Sequence, residues 1–142
     1  MPTITADLTT GFKVEISNGS HRWFADEPVD VGGTDTGPNP YEMLLGSVAA
    51  CTAITLSMYA QRKDIRVDAI SVRFQYDKIH ADDCSFCDDD STGFIDTVRS
   101  DIFVDGAFTE AQRERLAEVA TRCPVHKTLE RGITFDDHVV VG

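Results

Sequence analysis

The sequence has few positive charges. Thirteen lysines and arginines stand against 24 acidic residues, and the formal net charge is −11 at pH 7. A protein that binds nucleic acid or an anionic membrane needs a basic surface that neutralises phosphates, and no basic stripe is present. Neither partner is therefore expected, although the negative charge by itself identifies no substrate.

Several common catalytic motifs are also missing. The sequence contains no GxSxG nucleophile elbow, no GxxxxGK[ST] phosphate loop and no HExxH zinc motif. Gly32, Gly33 and Gly37 do not form a dinucleotide fingerprint, because they precede a helix opened by prolines instead of following a strand. Hydrolases, nucleotide-binding proteins and zinc peptidases of those types are therefore not indicated.

No secretory signal is recognised, because the opening MPTITADLTTGF has neither a basic region nor an apolar one. We therefore expect a cytoplasmic protein, with residues 1–142 forming a single domain. In a reducing compartment its four cysteines are better explained as thiols, metal ligands or redox catalysts than as structural bridges.

Residues 43–61 contain no charge and superficially resemble a membrane span. Small residues make the run only weakly apolar, and it is short for a bilayer at about 1.5 Å rise per residue. A helix that is apolar on all sides is typical of the centre of a protein. The run therefore predicts a buried helix that packs closely against another helix.

The remaining pattern predicts an α+β domain with antiparallel sheets. Apolar residues alternate around an Asn18-Gly19 turn, which indicates a hairpin with a return strand at 21–24. Further elements are expected as helices at 40–63 and from Thr109, antiparallel strands at 67–76 and 95–104, and a last short strand at 135–141.

Cys123 lies in the segment RCPVHKT. If Pro124 begins a short helix that ends at Arg131, Cys123 is its N-cap. The free backbone N–H groups, the helix dipole and the nearby cations Arg122, His126 and Lys127 would lower the thiol pKa. The alternative, that Cys123 is a small apolar residue closing the previous helix face, stays open.

Cys51 lies in the middle of the long helix, and on its own it is more typical of a core residue than of a catalyst. Its small neighbours also leave room for a substrate or a second cysteine. Glu42 fits a capping box with Asn39. Since nine residues of helix span about 13.5 Å, a Glu42 that acts on Cys51 would have to come from a partner subunit.

The segment from His80 to Cys87 has the pattern HxxxCxxC. His80, Cys84 and Cys87 are suitable zinc ligands, with Asp83 or His126 as a candidate fourth ligand. A CxxC pair can instead be redox-active. The third alternative is a polar loop with two incidental thiols.

Two segments, GGTDTGPNPYEMLLGSVAACTAITLSMYAQRK and RCPVHKTLERG, resemble the OsmC/Ohr family, the osmotically inducible and organic hydroperoxide resistance proteins. KIHADDCSFC resembles an OsmC-like subgroup of that family. The resemblance implies an OsmC-like fold, with antiparallel sheets wrapped around the long central helices of an intertwined homodimer. It places active sites at the subunit interface.

The resemblance also implies an activity, a thiol-dependent reduction of organic or inorganic hydroperoxides that needs no cofactor and protects against oxidative stress. Cys51 would attack the peroxide, Cys123 would resolve the sulfenic acid as a disulfide, and a dithiol reductant would regenerate the pair. The family pairs the glutamate, here Glu42, with an arginine. Arg22 is the only arginine before the long helix, and its flanking residues do not match the family's glycine-flanked arginine. The alternative is a non-peroxidase that binds a metal or small ligand through His80, Cys84 and Cys87.

Overall fold

The structure is a computed structural model that describes residues 2–88, 90 and 92–142. The predicted α+β class is confirmed, since antiparallel sheets occur together with three helices in this part of the chain. The elements, in chain order, are β1 (Thr5–Asp7), β2 (Val14–Ser17), β3 (Arg22–Ala25), α1 (Pro40–Arg62), β4 (Ala69–His80), β5 (Phe94–Asp105), α2 (Glu110–Ala120) and α3 (Pro124–Arg131).

The chain divides into two compact units between Gly46 and Ser47. In the first, β1, β2 and β3 form an antiparallel sheet in that order. The predicted hairpin is confirmed, because the side chain of Asn18 accepts the N–H of His21 at 2.7 Å and Gly19 adopts a φ of 96°. A positive φ is readily available to glycine, which explains the Asn-Gly pair at this turn. The single domain expected over residues 1–142 stays a prediction.

Helix α1 begins and ends where the sequence indicated. The N–H of Glu42 donates to Oδ1 of Asn39 at 2.8 Å, and the N–H of Asn39 lies 3.5 Å from Oε1 of Glu42, which is the predicted capping box. By length and composition alone α1 could cross a membrane, with a mean hydropathy of 1.6. The core helix of a soluble protein passes the same test, so this property does not decide between the two.

The core of the second unit lies between α1 and α2. Leu56 and Tyr59 of α1 pack with Leu116 and Val119 of α2, and all four side chains are buried. The base of the β4–β5 hairpin covers this cluster through Ile70, Ile102 and Val104. Burial of a side chain such as Leu56 contributes about 1.5–3 kcal/mol, so these contacts fix the positions of the two helices relative to each other.

Strands β4 and β5 pair antiparallel from Ala69↔Asp105 to His80↔Phe94. Strand β4 is therefore longer than the predicted 67–76, and it continues through residues 77–80, beyond the predicted end. The reason is that a two-stranded ribbon exposes much of its surface, so that charged residues such as Asp77 and Lys78 can continue the ladder without being buried.

The predicted last strand at 135–141 is wrong for this chain. Residues 133–142 carry no secondary structure, and the side chains of Phe135 and Val140 are 76% and 79% exposed. A strand needs a neighbour that satisfies its N–H and C=O groups. None of the described strands pairs with this segment, and an apolar sequence pattern cannot supply that partner.

Candidate functional site

The structure brings Cys51 and Cys123 together. Cys51 is contributed by the middle of α1, and Cys123 precedes the first residue of α3. The hydroxyl of Thr52, the residue after Cys51, lies 3.7 Å from Sγ of Cys123, and Cys51 is close enough to act on the pKa of the Cys123 thiol; both are free cysteines. The packing of α1 against α2 holds this arrangement, because α2 leads directly into the turn that carries Cys123.

Cys123 is the N-cap of α3, as its position before Pro124 predicted. The N–H of His126 donates to Sγ of Cys123 at 3.3 Å, and Pro124 is at the first helical position. The hydroxyl of Thr52 donates to the same sulfur at 3.7 Å. On the other thiol, Oγ1 of Thr55 lies 4.0 Å from Sγ of Cys51. Threonine hydroxyls from consecutive turns of α1 therefore contact both sulfurs.

Burial decides the ionisation of Cys123. This residue is 1% exposed, and its desolvation raises the pKa of the thiol above its ordinary value. The N–H of His126 and the hydroxyl of Thr52 act to lower that pKa, whereas the nearby Cys51 thiol acts to raise it. The cap geometry is thus confirmed, but the lower thiol pKa expected from it is wrong, because desolvation outweighs the helix terminus.

The ring of His126 contacts groups other than the Cys123 sulfur. The ring of His126 has Nδ1 at 2.9 Å from the carbonyl oxygen of Thr121 and Nε2 at 2.8 Å from Oε1 of Glu130. His126 therefore contacts the Cys123 sulfur through its backbone N–H, while its ring is engaged by a carbonyl and a carboxylate.

A cavity of about 570 Å³ begins one helical turn from Cys51. Thr55 and Tyr59 of α1 line it on one side, and Pro124 lines it next to Cys123. Arginine side chains complete the lining, namely those of Arg62, Arg115 and Arg122. Space for a small organic molecule, with apolar and cationic walls, therefore lies beside the two thiols.

Arg22 and Glu42 belong to the first unit. Arg22 is on β3, its side chain is 76% exposed, and its Nη1 pairs with Oε1 of Glu15 at 3.1 Å. Glu42 caps α1 together with Asn39. Each residue thus has a structural partner of its own, and their predicted action on Cys51 stays a prediction.

At the HxxxCxxC loop, Cys84 and Cys87 form a disulfide with a Cα–Cα distance of 5.6 Å. Nδ1 of His80 lies 3.2 Å from the N–H of Asp82 and 3.4 Å from its Oδ2. Within the described ranges, no group of three histidine, cysteine or acidic side chains is arranged to hold a metal ion. Zinc at His80, Cys84 and Cys87 stays a prediction for the reduced loop.

Sequence reasoning missed Asp26, a carboxylate that is only 2% exposed. It accepts hydrogen bonds from the N–H of Glu27 at 2.8 Å, the N–H of Thr34 at 3.2 Å and Oγ1 of Thr36 at 2.9 Å. Hydrogen bonds to these residues hold the pKa of Asp26 far below its usual range, the bond from the Thr34 hydroxyl being the largest cause. Asp26 thereby fixes the glycine-rich loop that leads into α1, and the closely spaced Thr34 and Thr36 were the available signal.

The fold and the site together define a class of protein, an α+β protein in which a long helix holds one of two neighbouring thiols. The sequence profile of OsmC-like proteins matches residues 33–136, which include both cysteines. The chain therefore belongs to the OsmC-like protein family, and the resemblance recognised in the sequence is confirmed.

Solved structures have the same fold at low sequence identity. An organic hydroperoxide resistance protein OsmC from Legionella pneumophila is 19% identical, with 89% of this chain and 87% of that chain covered at a TM-score of 0.61. For an OsmC-like protein from Mycoplasma pneumoniae the identity is 22%, the coverage 92% and 87%, and the TM-score 0.62. The organic hydroperoxide resistance protein OhrB of Bacillus subtilis is 19% identical, with 89% of this chain and 88% of that chain covered at a TM-score of 0.58. The comparison with curated protein sequences gives no match.

Proposed function

We propose that this protein is a thiol-dependent peroxidase that reduces organic or inorganic hydroperoxides in the cytoplasm. The observation that carries the proposal is that the free thiols of Cys51 and Cys123 are near each other although they lie far apart in the chain, with Thr52, the residue after Cys51, donating its hydroxyl to Sγ of Cys123 at 3.7 Å. Two solved structures of the same fold are named as organic hydroperoxide resistance proteins. That likeness supports the choice of substrate class.

The first step is the attack of the Cys51 thiolate on the O–O bond of ROOH. The sulfur takes the terminal hydroxyl and becomes a sulfenic acid, while the alkoxide leaves and is protonated by water to the alcohol. Two features favour Cys51 for this step. It is half-buried, whereas Cys123 is 1% exposed, and burial favours the protonated form of Cys123.

The second step joins the two sulfurs. Sγ of Cys123 attacks the Cys51 sulfenic acid, the S–O bond breaks, and the proton of the Cys123 thiol leaves with the hydroxyl group as water. The nearness of Cys51 to Cys123, which is seen in the contact of Thr52 with Sγ of Cys123 at 3.7 Å, supports this step. A dithiol then reduces the disulfide by exchange and is itself oxidised to a disulfide.

The cavity beside the thiols suits the organic part of a hydroperoxide. Its volume of about 570 Å³ is within the range of small-molecule sites. Tyr59 and Val119 supply apolar surface, and Arg122 supplies a cation next to the turn that holds Cys123. A cation at this position stabilises the negative charge that develops on the leaving alkoxide.

A homodimer is part of the proposal. On α1, Ile54 and Met58 are 57% and 62% exposed although the helix carries no charge between Glu42 and Arg62. The apolar tail is exposed as well, with Val140 at 79% and Val141 at 91%. Apolar surfaces of this kind mark protein interfaces, and a second copy of the chain would cover both. Glu42 and Arg22 are proposed to activate Cys51 in that assembly.

The test is to treat reduced protein with cumene hydroperoxide and to map the thiols by mass spectrometry. We expect a loss of two hydrogens assigned to a Cys51–Cys123 disulfide, with one cumyl alcohol formed per pair. Cys51→Ser should abolish turnover. Light scattering of the same sample should give the mass of a dimer. Intact thiols after exposure to several hydroperoxides would overturn the proposed activity.

A further inference from the structure

The Cys84–Cys87 disulfide lies in the segment that connects β4 to β5 and has no part in the proposed reaction of Cys51 and Cys123. The base of the hairpin packs on the helical core at Ile70. His80, at the other end of β4, is ten residues further along the strand, or about 33 Å at about 3.3 Å per residue. The Cys84–Cys87 loop therefore lies at the end of the hairpin away from the residues that pack on the helical core.

This disulfide is not needed to hold the hairpin together. β4 and β5 remain paired up to His80↔Phe94, and the N–H of Ala81 then donates to the carbonyl of Gly93 at 2.7 Å. The cross-link closes a loop with a sequence separation of only 3. A cross-link across so short a loop removes little entropy from the unfolded chain. This disulfide therefore contributes little to the stability of the fold.

The disulfide is accessible to a reaction partner. Cys84 and Cys87 are half-buried, and Phe86 between them is 68% exposed. The ring of Phe86 lines a cavity of about 520 Å³ together with Tyr76, Ile79 and Val98. A cavity with both apolar and polar walls therefore lies beside the residue between the two cysteines, and its charged lining residues, Asp77 and Arg99, are of opposite sign.

The charge around the disulfide is negative. Asp82, Asp83 and Asp88 are all exposed and lie within two residues of Cys84 or one residue of Cys87. Such charges act over a Debye length of about 10 Å at 0.1 M salt. They repel an anionic thiol and favour a thiol that carries no negative group besides its reacting sulfur.

We propose that Cys84 and Cys87 form a second redox centre, a thiol–disulfide exchange site for a dithiol without further negative charge. One thiolate of that dithiol attacks a sulfur of the Cys84–Cys87 bond, which breaks and releases the other cysteine as a thiolate. The second thiol of the reductant then attacks the mixed disulfide. Two electrons and two protons pass from the dithiol to the protein, and the reductant leaves as a disulfide.

The test uses a Cys51→Ser/Cys123→Ser protein, in which only this pair can react. The folded double variant is incubated with excess dithiothreitol and quenched with an alkylating agent. Its mass is measured by mass spectrometry, and circular dichroism follows the fold. We expect two alkyl groups on Cys84 and Cys87 with an unchanged spectrum. A disulfide that opens only when the protein unfolds would overturn the proposal. Because Cys51 and Cys123 are absent, this result is independent of the peroxidase proposal.

Small thiols of different charge test the proposed preference for a reductant without further negative charge. Rates of opening are compared for cysteamine, which carries an amino group, and glutathione, which carries a net negative charge. At low salt we expect cysteamine to react about tenfold faster per thiolate, and the difference should shrink as salt is added. Asp82→Asn/Asp83→Asn should accelerate glutathione and leave cysteamine nearly unchanged. Equal rates at low salt would overturn the assignment of the reductant class.

Discussion

Cys51→Ser and Cys123→Ser should have different effects on the reaction with a hydroperoxide. An unperturbed thiol with a pKa of about 8.5 is about 3% thiolate at pH 7, and burial raises the pKa of Cys123, which keeps its thiolate fraction below that level. With Cys51 removed, the remaining thiol should react at less than about one thirtieth of the rate of a full thiolate. Cys123→Ser should instead leave the first step intact.

The assay is stopped-flow consumption of cumene hydroperoxide, followed by mass spectrometry with a sulfenic acid trap. Cys123→Ser should accumulate one trapped adduct on Cys51, because no thiol resolves it. Serine is a good N-cap, so this variant keeps α3 and is a matched control for folding. In Cys51→Ser the slow reaction should accelerate as pH rises above about 8.5. If Cys51→Ser consumed peroxide as fast as Cys123→Ser, the assignment of the two roles would be refuted.

Three further predictions concern single groups. Thr52→Val removes the hydroxyl that donates to Cys123. It should raise the pKa of that thiol further and move the pH profile of disulfide closure upwards, and an unchanged profile would contradict this contact. Hydrogen bonds lower the pKa of Asp26, so its stabilisation is complete above the unfolded value of about 3.9 and is lost as pH falls below it. Urea unfolding should show this acid loss in the native protein and not in Asp26→Asn. If the reduced loop binds zinc, protein prepared under reducing conditions should contain one zinc per chain, and Cys84→Ser should remove it. Metal analysis of the two proteins checks this prediction.

The caps of the helices could be predicted because each one is local. Thr109 accepts the N–H of Gln112 at 3.2 Å, and the side chain of Gln112 accepts the N–H of Thr109 at 2.9 Å. Asn39 with Glu42 and Cys123 with His126 form contacts over the same spacing of three residues. A hydrogen bond between residues three apart depends on local backbone conformation alone, so the residue types predict it directly.

The tail and Asp26 show where local patterns are insufficient. The segment 135–141 ends in three valines, which favour a strand, but a strand forms only where a neighbour offers a ladder, and no described strand does so here. Asp26 is an ordinary acidic residue in the sequence. Its burial depends on Thr34 and Thr36, which the loop brings back to it from eight and ten residues away.

The amino-acid sequence by itself determined the α+β class, the bounds of α1 and α3, the family, and the position of Cys123 as the N-cap of α3. Only the tertiary structure brought the turn of α1 that holds Cys51 and Thr52 to Cys123, because α1 and α2 pack through Leu56, Tyr59 and their neighbours. It also reversed the expected direction of the Cys123 pKa. Desolvation depends on every group that surrounds a sulfur, and those groups come from parts of the chain that no local pattern connects.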